Sequence, residues 1–424
     1  MSNPKFCGTN KLYFHIIVYY KNVVLRYERF HLFEASTFYP IYQRDKHLED
    51  RISQLPDEIL ANILSLLKIK EAGRSSVLSH RWRDLWKFSS SLNFDASKTL
   101  LKVFGRKHEP ERSKYVAWVN QVLKLHLCPS LDEFRVGFYL DSRNSCDIDE
   151  WINFVIPKRV KILEIDLHSS SFDTRYTPSQ ECYLCFKSPS NLSSIKCLTS
   201  LSLGHVNVRG ELIEYFLSNC PNLEQLRMFC LDQIVNLNVS GPSLQLKHLE
   251  IFRCKLLESL EFCAPKLVTF KYFGQTSIRL SLGSLPLLAE LDIGAARDHQ
   301  ATYALVPFSS YLSQIETLNL HTWLPKEYME VPRIVELTKL KHLILDFDNY
   351  YGSRFPCFTS LVEAAPSLHK LTIKDRVKCP RSCIRSEDLC SISKKHDWSK
   401  SDHIGARSNS SPECVAGDWS FWQP

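Results

Sequence analysis

With 424 residues, 44% apolar and 23% charged, the chain holds material for two or three domains with sizeable cores. Its 13 glycines fall well below the usual share of about 7%, and no G-x-G-x-x-G or G-K-[ST] run occurs, which argues against a glycine-rich nucleotide fold. The net charge of +7 is mildly basic, but the positive residues are dispersed instead of gathered in a stripe, which disfavours nucleic acid as the partner.

Residues 1–48 carry aromatic and β-branched runs, Tyr13 to Tyr20 and Val23 to Leu25, around a Lys21-Asn22 break, and read as a hairpin. The runs are too short and interrupted for a membrane span. This stretch is expected to be a noncognate or flexible extension.

The most specific pattern lies at 49–88. Pro56 followed by Asp57 and Glu58 marks a helix start, where carboxylates meet the unpaired N–H groups of a first turn. Ile59, Leu60, Ile63, Leu64 and Leu67 then form one apolar stripe. After Gly73 the spacing of Val77, Leu78, Trp82, Leu85 and Trp86 predicts a further helical segment. So small a unit cannot bury all this surface alone, so part of it is expected to meet a partner or the rest of the chain.

Asp50-Arg51-Ile52-Ser53, Leu55 to Leu60, Ile63-Leu64-Ser65, Ser76 to Ser79, Arg81-Trp82-Arg83 and Leu85-Trp86 together resemble the F-box, in particular that of plant-type F-box/leucine-rich-repeat proteins. The resemblance implies a three-helix module in which Leu55, Pro56, Ile59, Leu60, Ile63, Leu64, Leu78 and Trp82 help to hold a Skp-type adaptor and, through it, a cullin. Two positions depart from the family pattern: Lys68 stands where proline is usual, and Gly73 where an aliphatic residue is usual.

Ser89 to Asp95 reads as a connector, and Tyr115 to Leu127 has helical periodicity. A repeated L-x-x-L-x-L frame then begins at Leu131/Phe134/Val136 and recurs to Leu368/Leu371/Ile373, with steps of 29, 38, 25, 23, 21, 21, 27, 25 and 28 between middle residues. Each frame is too small to bury its own apolar face, so neighbours must stack into a solenoid of short parallel strands. The long step is read as an insertion holding Ser169 to Ser171 and the Cys182 to Cys185 pair, and Cys254 falls at a turn position suited to a small buried side chain. Leu361 to Lys374 resembles the opening of the family's FBD segment, left uncompleted, and from Asp375 the composition turns polar, as in a disordered tail.

Fifteen cysteines are an odd number and too sparse for a disulfide scaffold, and the pairs Cys182/Cys185 and Cys379/Cys383 lack companion ligands, so reduced thiols without metal are expected. His205, His248, His342 and His369 share no spacing and read as surface or turn residues, and no catalytic arrangement stands out. Strand alternation places Arg227, Glu250, Lys271 and Asp292 in one outward column and Phe229, Phe252 and Phe273 in the next, a candidate target-binding patch of alternating charge beside an aromatic ladder.

The reading is therefore an α+β chain: extension 1–48, F-box 49–90, linker and helical cap 91–130, repeats with a truncated FBD-like end 131–375, and tail 376–424. The expected function is a non-catalytic substrate receptor of a cullin ubiquitin ligase, without cofactor or membrane, in cytoplasm or nucleus. The alternative is a repeat-based scaffold uncoupled from ubiquitination.

Overall fold

A computed structural model describes residues 52, 54–96, 108–167, 182–183, 195–241, 244–275, 278–295, 301–322, 337–347, 359–377 and 392–399. The expected N-terminal hairpin, the Ser169 to Ser171 segment, Cys185, Cys379, Cys383 and the last 25 residues lie outside them.

Helix α1 (Asp57–Ser65) starts at Pro56 with Asp57 and Glu58 in its first turn. Its apolar stripe closes a small core of Leu60, Ile63 and Leu64 against Ala72 of α2 (Ile69–Arg74) and against Trp82 and Leu85. The third helical segment expected from Val77 onward differs: Ser75–Val77 and Leu85–Phe88 are 3-10 turns joined by non-helical chain. Serine hydroxyls explain the difference, since Ser75 Oγ donates to the Ala72 carbonyl at 2.6 Å and Ser76 Oγ to that of Arg83 at 3.0 Å, competing with helix bonds.

Ser91–Asp95, expected as a linker, is strand β1 and opens the sheet, so the repeat array starts about one repeat earlier than its leucines suggest. The remaining strands are β2 (Glu133–Gly137), β3 (Ile162–Asp166), β4 (Cys182–Tyr183), β5 (Ser200–Gly204), β6 (Val206–Asn207), β7 (Gln225–Phe229), β8 (Asn236–Ser240), β9 (His248–Phe252), β10 (Ser259–Cys263) and β11 (Thr269–Gly274). They continue with β12 (Arg279–Leu282), β13 (Glu290–Ala295), β14 (Thr317–Thr322), β15 (His342–Phe347), β16 (Lys370–Val377) and β17 (Ile392–Ser399). Twelve of them form one sheet in the order β1-β2-β3-β5-β7-β9-β11-β13-β14-β15-β16-β17, parallel except for the last pair. The stretch expected as a disordered tail thus contributes an antiparallel edge strand, β17.

One register runs through the parallel part, from Leu92 beside Phe134 to Leu343 beside Leu371. The frame leucines point inward and are buried from Leu131 to Leu345. Repeat length follows what lies on the opposite side of each turn. Where steps are long, helices α4 (Ser145–Val155) and α5 (Gly210–Asn219) cover the core; where they shrink to 23 and 21, a second sheet of β8, β10 and β12 replaces them. A five-residue strand needs less chain than a helix of two or three turns to cover the same core.

The module and the array share packing. Ile69 of α2, 2% exposed, belongs to the repeat core. The Lys87 carbonyl accepts from Leu127 N–H at 2.8 Å, and that of Ser90 from Asp132 N–H at 2.8 Å. Burial pushes His126 below the usual imidazole pKa, so its neutral ring donates Nε2–H to the Ser89 carbonyl at 2.8 Å. Helix α3 (His108–Leu125) seals this end: Tyr115 stacks on Phe138 at 4.2 Å, and Arg112 meets Asp141 at 2.9 Å with both side chains buried.

Candidate functional site

The eight residues singled out in the F-box divide into two groups. Leu60, Ile63, Leu64 and Trp82 are buried in the module's own core, where they set the shape of α1 but offer no surface. Pro56 and Leu78 are exposed, and Leu55 and Ile59 half-buried. Arg81 binds Asp57 at 2.7 Å and also donates to the Leu55 carbonyl, which ties the Leu78 turn to the start of α1. Val77, 80% exposed, stands beside Leu78, and Leu66 and Phe88 are exposed as well. Four of the ten large exposed apolar side chains among the described residues therefore lie between 66 and 88, apolar area that the module's own core leaves uncovered.

On the open face of the sheet, the outward columns fall as alternation requires. Arg227, Glu250, Lys271 and Asp292 are direct neighbours across β7, β9, β11 and β13. Phe229, Phe252 and Phe273 adjoin in the next column, with centroids 6.1 Å and 4.9 Å apart, the second pair stacked. The charge ladder does not run through. Arg227 pairs with Glu250 at 2.9 Å, but Lys271 turns to Glu290 at 3.2 Å, and Asp292 is taken by Asn319 at 3.0 Å and His321 at 2.9 Å. Lys271 has acids to both sides and one ammonium to share, so sequence adjacency alone does not choose its partner.

Beyond Phe273 the column reads Gly294, His321, Asp346. Gly294 is required there, because a Cβ would stand 2.7 Å from that of His321 and collide with the Phe273 ring. Across this gap Phe273 meets His321 edge-on, 5.9 Å between centroids. His321 also holds Asp346 at 3.2 Å. Burial lowers its pKa, yet bonds to Asp292 and Asp346 outweigh burial and raise it to about 9, so the ring is a cation at neutral pH. At the other end of the strip, His205 bonds Asp166 at 2.9 Å over Gly204; burial again opposes, and Asp166 and Cys230 prevail, giving about 9.

His205 sits in a turn as expected, whereas His321 was not singled out; its signal was that it stands one place after Leu320 in the frame, the position Phe273 holds after Tyr272. Cys220 and Cys254 are buried, free, and pushed by burial up to about 12. Among the described residues no cluster of three or more His, Cys, Asp or Glu could hold a metal, and no helix is long and apolar enough to cross a membrane.

Family comparisons agree with this division. The F-box domain matches residues 52–93, and the At1g61320/AtMIF1-type LRR domain matches residues 122–396. The chain is similar to Arabidopsis thaliana F-box/LRR-repeat protein At3g03360, 32% identical over 273 residues, covering 59% of this chain and 53% of the relative. It is also similar to F-box/FBD/LRR-repeat protein At1g13570 of the same plant, 30% identical over 268 residues, covering 57% and 61%. A third, F-box/FBD/LRR-repeat protein At4g00160, is 27% identical over 341 residues, covering 80% of this chain and 55% of its own length. The chain thus spans between half and two thirds of these relatives. An F-box module feeding its first strand into a parallel leucine-rich sheet, with both parts matched in order, places the chain in the F-box/leucine-rich-repeat family.

Proposed function

We propose that this protein is a substrate receptor of a cullin-type ubiquitin ligase: the F-box surface holds a Skp-type adaptor, and the aromatic strip of the repeat sheet captures a target protein. The observation that supports this best is the segregation of two apolar surfaces, one at Pro56, Val77 and Leu78 and the other at Phe229, Phe252 and Phe273, on one packed body. Such a receptor needs no bond chemistry of its own. It raises the local concentration of a target lysine near a charged conjugating enzyme. The cytoplasm or nucleus suits its buried thiols Cys220 and Cys254.

The test is adaptor co-purification. Replacing Leu55 and Pro56 together by alanine, or Val77 and Leu78 by aspartate, should abolish it while the sheet's circular dichroism is kept; undiminished binding by a folded double variant would refute the reading. Phe252→Ala should weaken target capture by roughly 2 kcal/mol without loss of adaptor. One observation favours a scaffold uncoupled from ubiquitination: nothing lies within 4 Å of a Cβ at Gly73, so the space a family aliphatic would fill is empty.

A further inference from the structure

We propose that the aromatic strip takes an extended protein segment carrying a carboxylate beside a large apolar side chain, with Arg253 as the carboxylate's partner. This rests on the reading of the strip as a capture surface and specifies what it captures.

The inference comes from charge pairing around the rings. Arg227 is neutralised by Glu250 at 2.9 Å, and Lys271 by Glu290 at 3.2 Å. His205 has Asp166, and His321 has Asp292 and Asp346. Asp232, in the adjoining turn, is committed to Lys255 at 3.2 Å. Arg253 alone among these bordering cations has no carboxylate within reach among the described residues. It lies instead over the phenyl rings, its Cζ 5.1 Å from the Phe252 centroid and 5.6 Å from that of Phe273.

A guanidinium resting on aromatic rings keeps its N–H fork available at the edge, a geometry matched to a carboxylate. The backbone holds it there. Arg253 has φ 55°, in the left-handed region unfavourable to a side chain with a Cβ, and its N–H donates to the Phe273 carbonyl at 2.6 Å. The same turn recurs at His205 (φ 52°) and Cys230 (φ 51°), so the repeat itself fixes this backbone position, and the arginine side chain is what sets Arg253 apart. The acids at both ends of the strip are each paired with a histidine, which offsets their charge toward an arriving carboxylate. Three neighbouring strands span about 10 Å, the reach of about three extended residues, which fits a linear segment laid across them.

Panning a random-peptide library against the intact chain tests this. Peptides with Asp or Glu within two places of Phe, Tyr, Trp or Leu should be enriched, and a synthetic peptide of that pattern should bind Arg253→Gln about tenfold or more weakly. Arg253→Lys should keep part of the affinity, and Phe252→Ala should lose the apolar component. Arg253→Met, unbranched and uncharged, serves if the glutamine variant fails to fold. A recovered set without acids, no recovered set, or equal binding by the uncharged variants overturns the proposal. Adaptor co-purification from the same preparations reports the ligase reading separately: its loss with the peptide pattern intact would sink that reading and leave this one standing.

Discussion

Raising the pH should loosen the sheet, and His321 should account for a measurable share of the loss. The folded pKa of His321 is raised from the ordinary imidazole value of 6.5 to about 9, because the Asp292 and Asp346 bonds outweigh burial. A group with a raised folded pKa contributes its full stability below the unfolded value and loses it as pH climbs through the folded one. At about 1.4 kcal/mol per tenfold change in proton affinity, the histidine contributes at most roughly 3 kcal/mol near neutrality and little above about pH 9.5. His205 has the same sign and a similar folded value. Urea unfolding at intervals between about pH 6.5 and about pH 9.5 measures the slope, and His321→Gln should remove about half of it. The difference between parent and variant is the quantity to read. Parallel pH profiles for the two proteins would refute the assignment of His321 as a paired cation.

Three further outcomes are expected. Asp141→Asn should cost about 3 kcal/mol or more in thermal or urea unfolding, since it takes the Asp141 charge away from the buried Arg112 guanidinium. Gly294→Ala should destabilise by about 1–3 kcal/mol, because the new methyl must displace Phe273 or His321, and near-ultraviolet circular dichroism should register the displaced ring. Gly73→Ala, with open space around the added methyl, should stabilise by about 0.5–1 kcal/mol, read as a higher unfolding midpoint.

Much of this architecture is visible in the chain, because alternation and the frame period are set by backbone geometry. Leu226, Met228, Leu249 and Ile251 point inward and Arg227, Phe229, Glu250 and Phe252 outward for that reason alone. The misses have equally local causes. Strand β1 escaped the frame because Ser89 stands where the first leucine should be; it is fully buried, with its hydroxyl on the Ser91 carbonyl at 2.9 Å. The second sheet was hidden behind the first, although Ile234/Leu237/Val239 and Leu257/Leu260/Phe262 fit the same frame out of phase. Burial of Leu60, Ile63, Leu64 and Trp82 could not be separated from surface contact, since an amphipathic stripe shows which face is apolar and not what covers it. Ion pairing went astray at Lys271 because side-chain rotamers, which no periodicity encodes, choose among acids within reach.

The entry of β1 directly from the Leu85–Phe88 turn, with Ile69 embedded in the repeat core, leaves no loose linker between the F-box and the repeat sheet. From β1 to β9 is five strand steps, about 24 Å along the sheet, so Phe252 stands at a set distance from the first strand after the F-box. Under the proposed function, such a stiff arm would restrict which lysines of a bound chain come within reach, a choice made by distance as well as by sequence. Glycines inserted between 88 and 91 would turn the arm into a tether, and the pattern of modified lysines would broaden even though the affinity at the strip stayed the same.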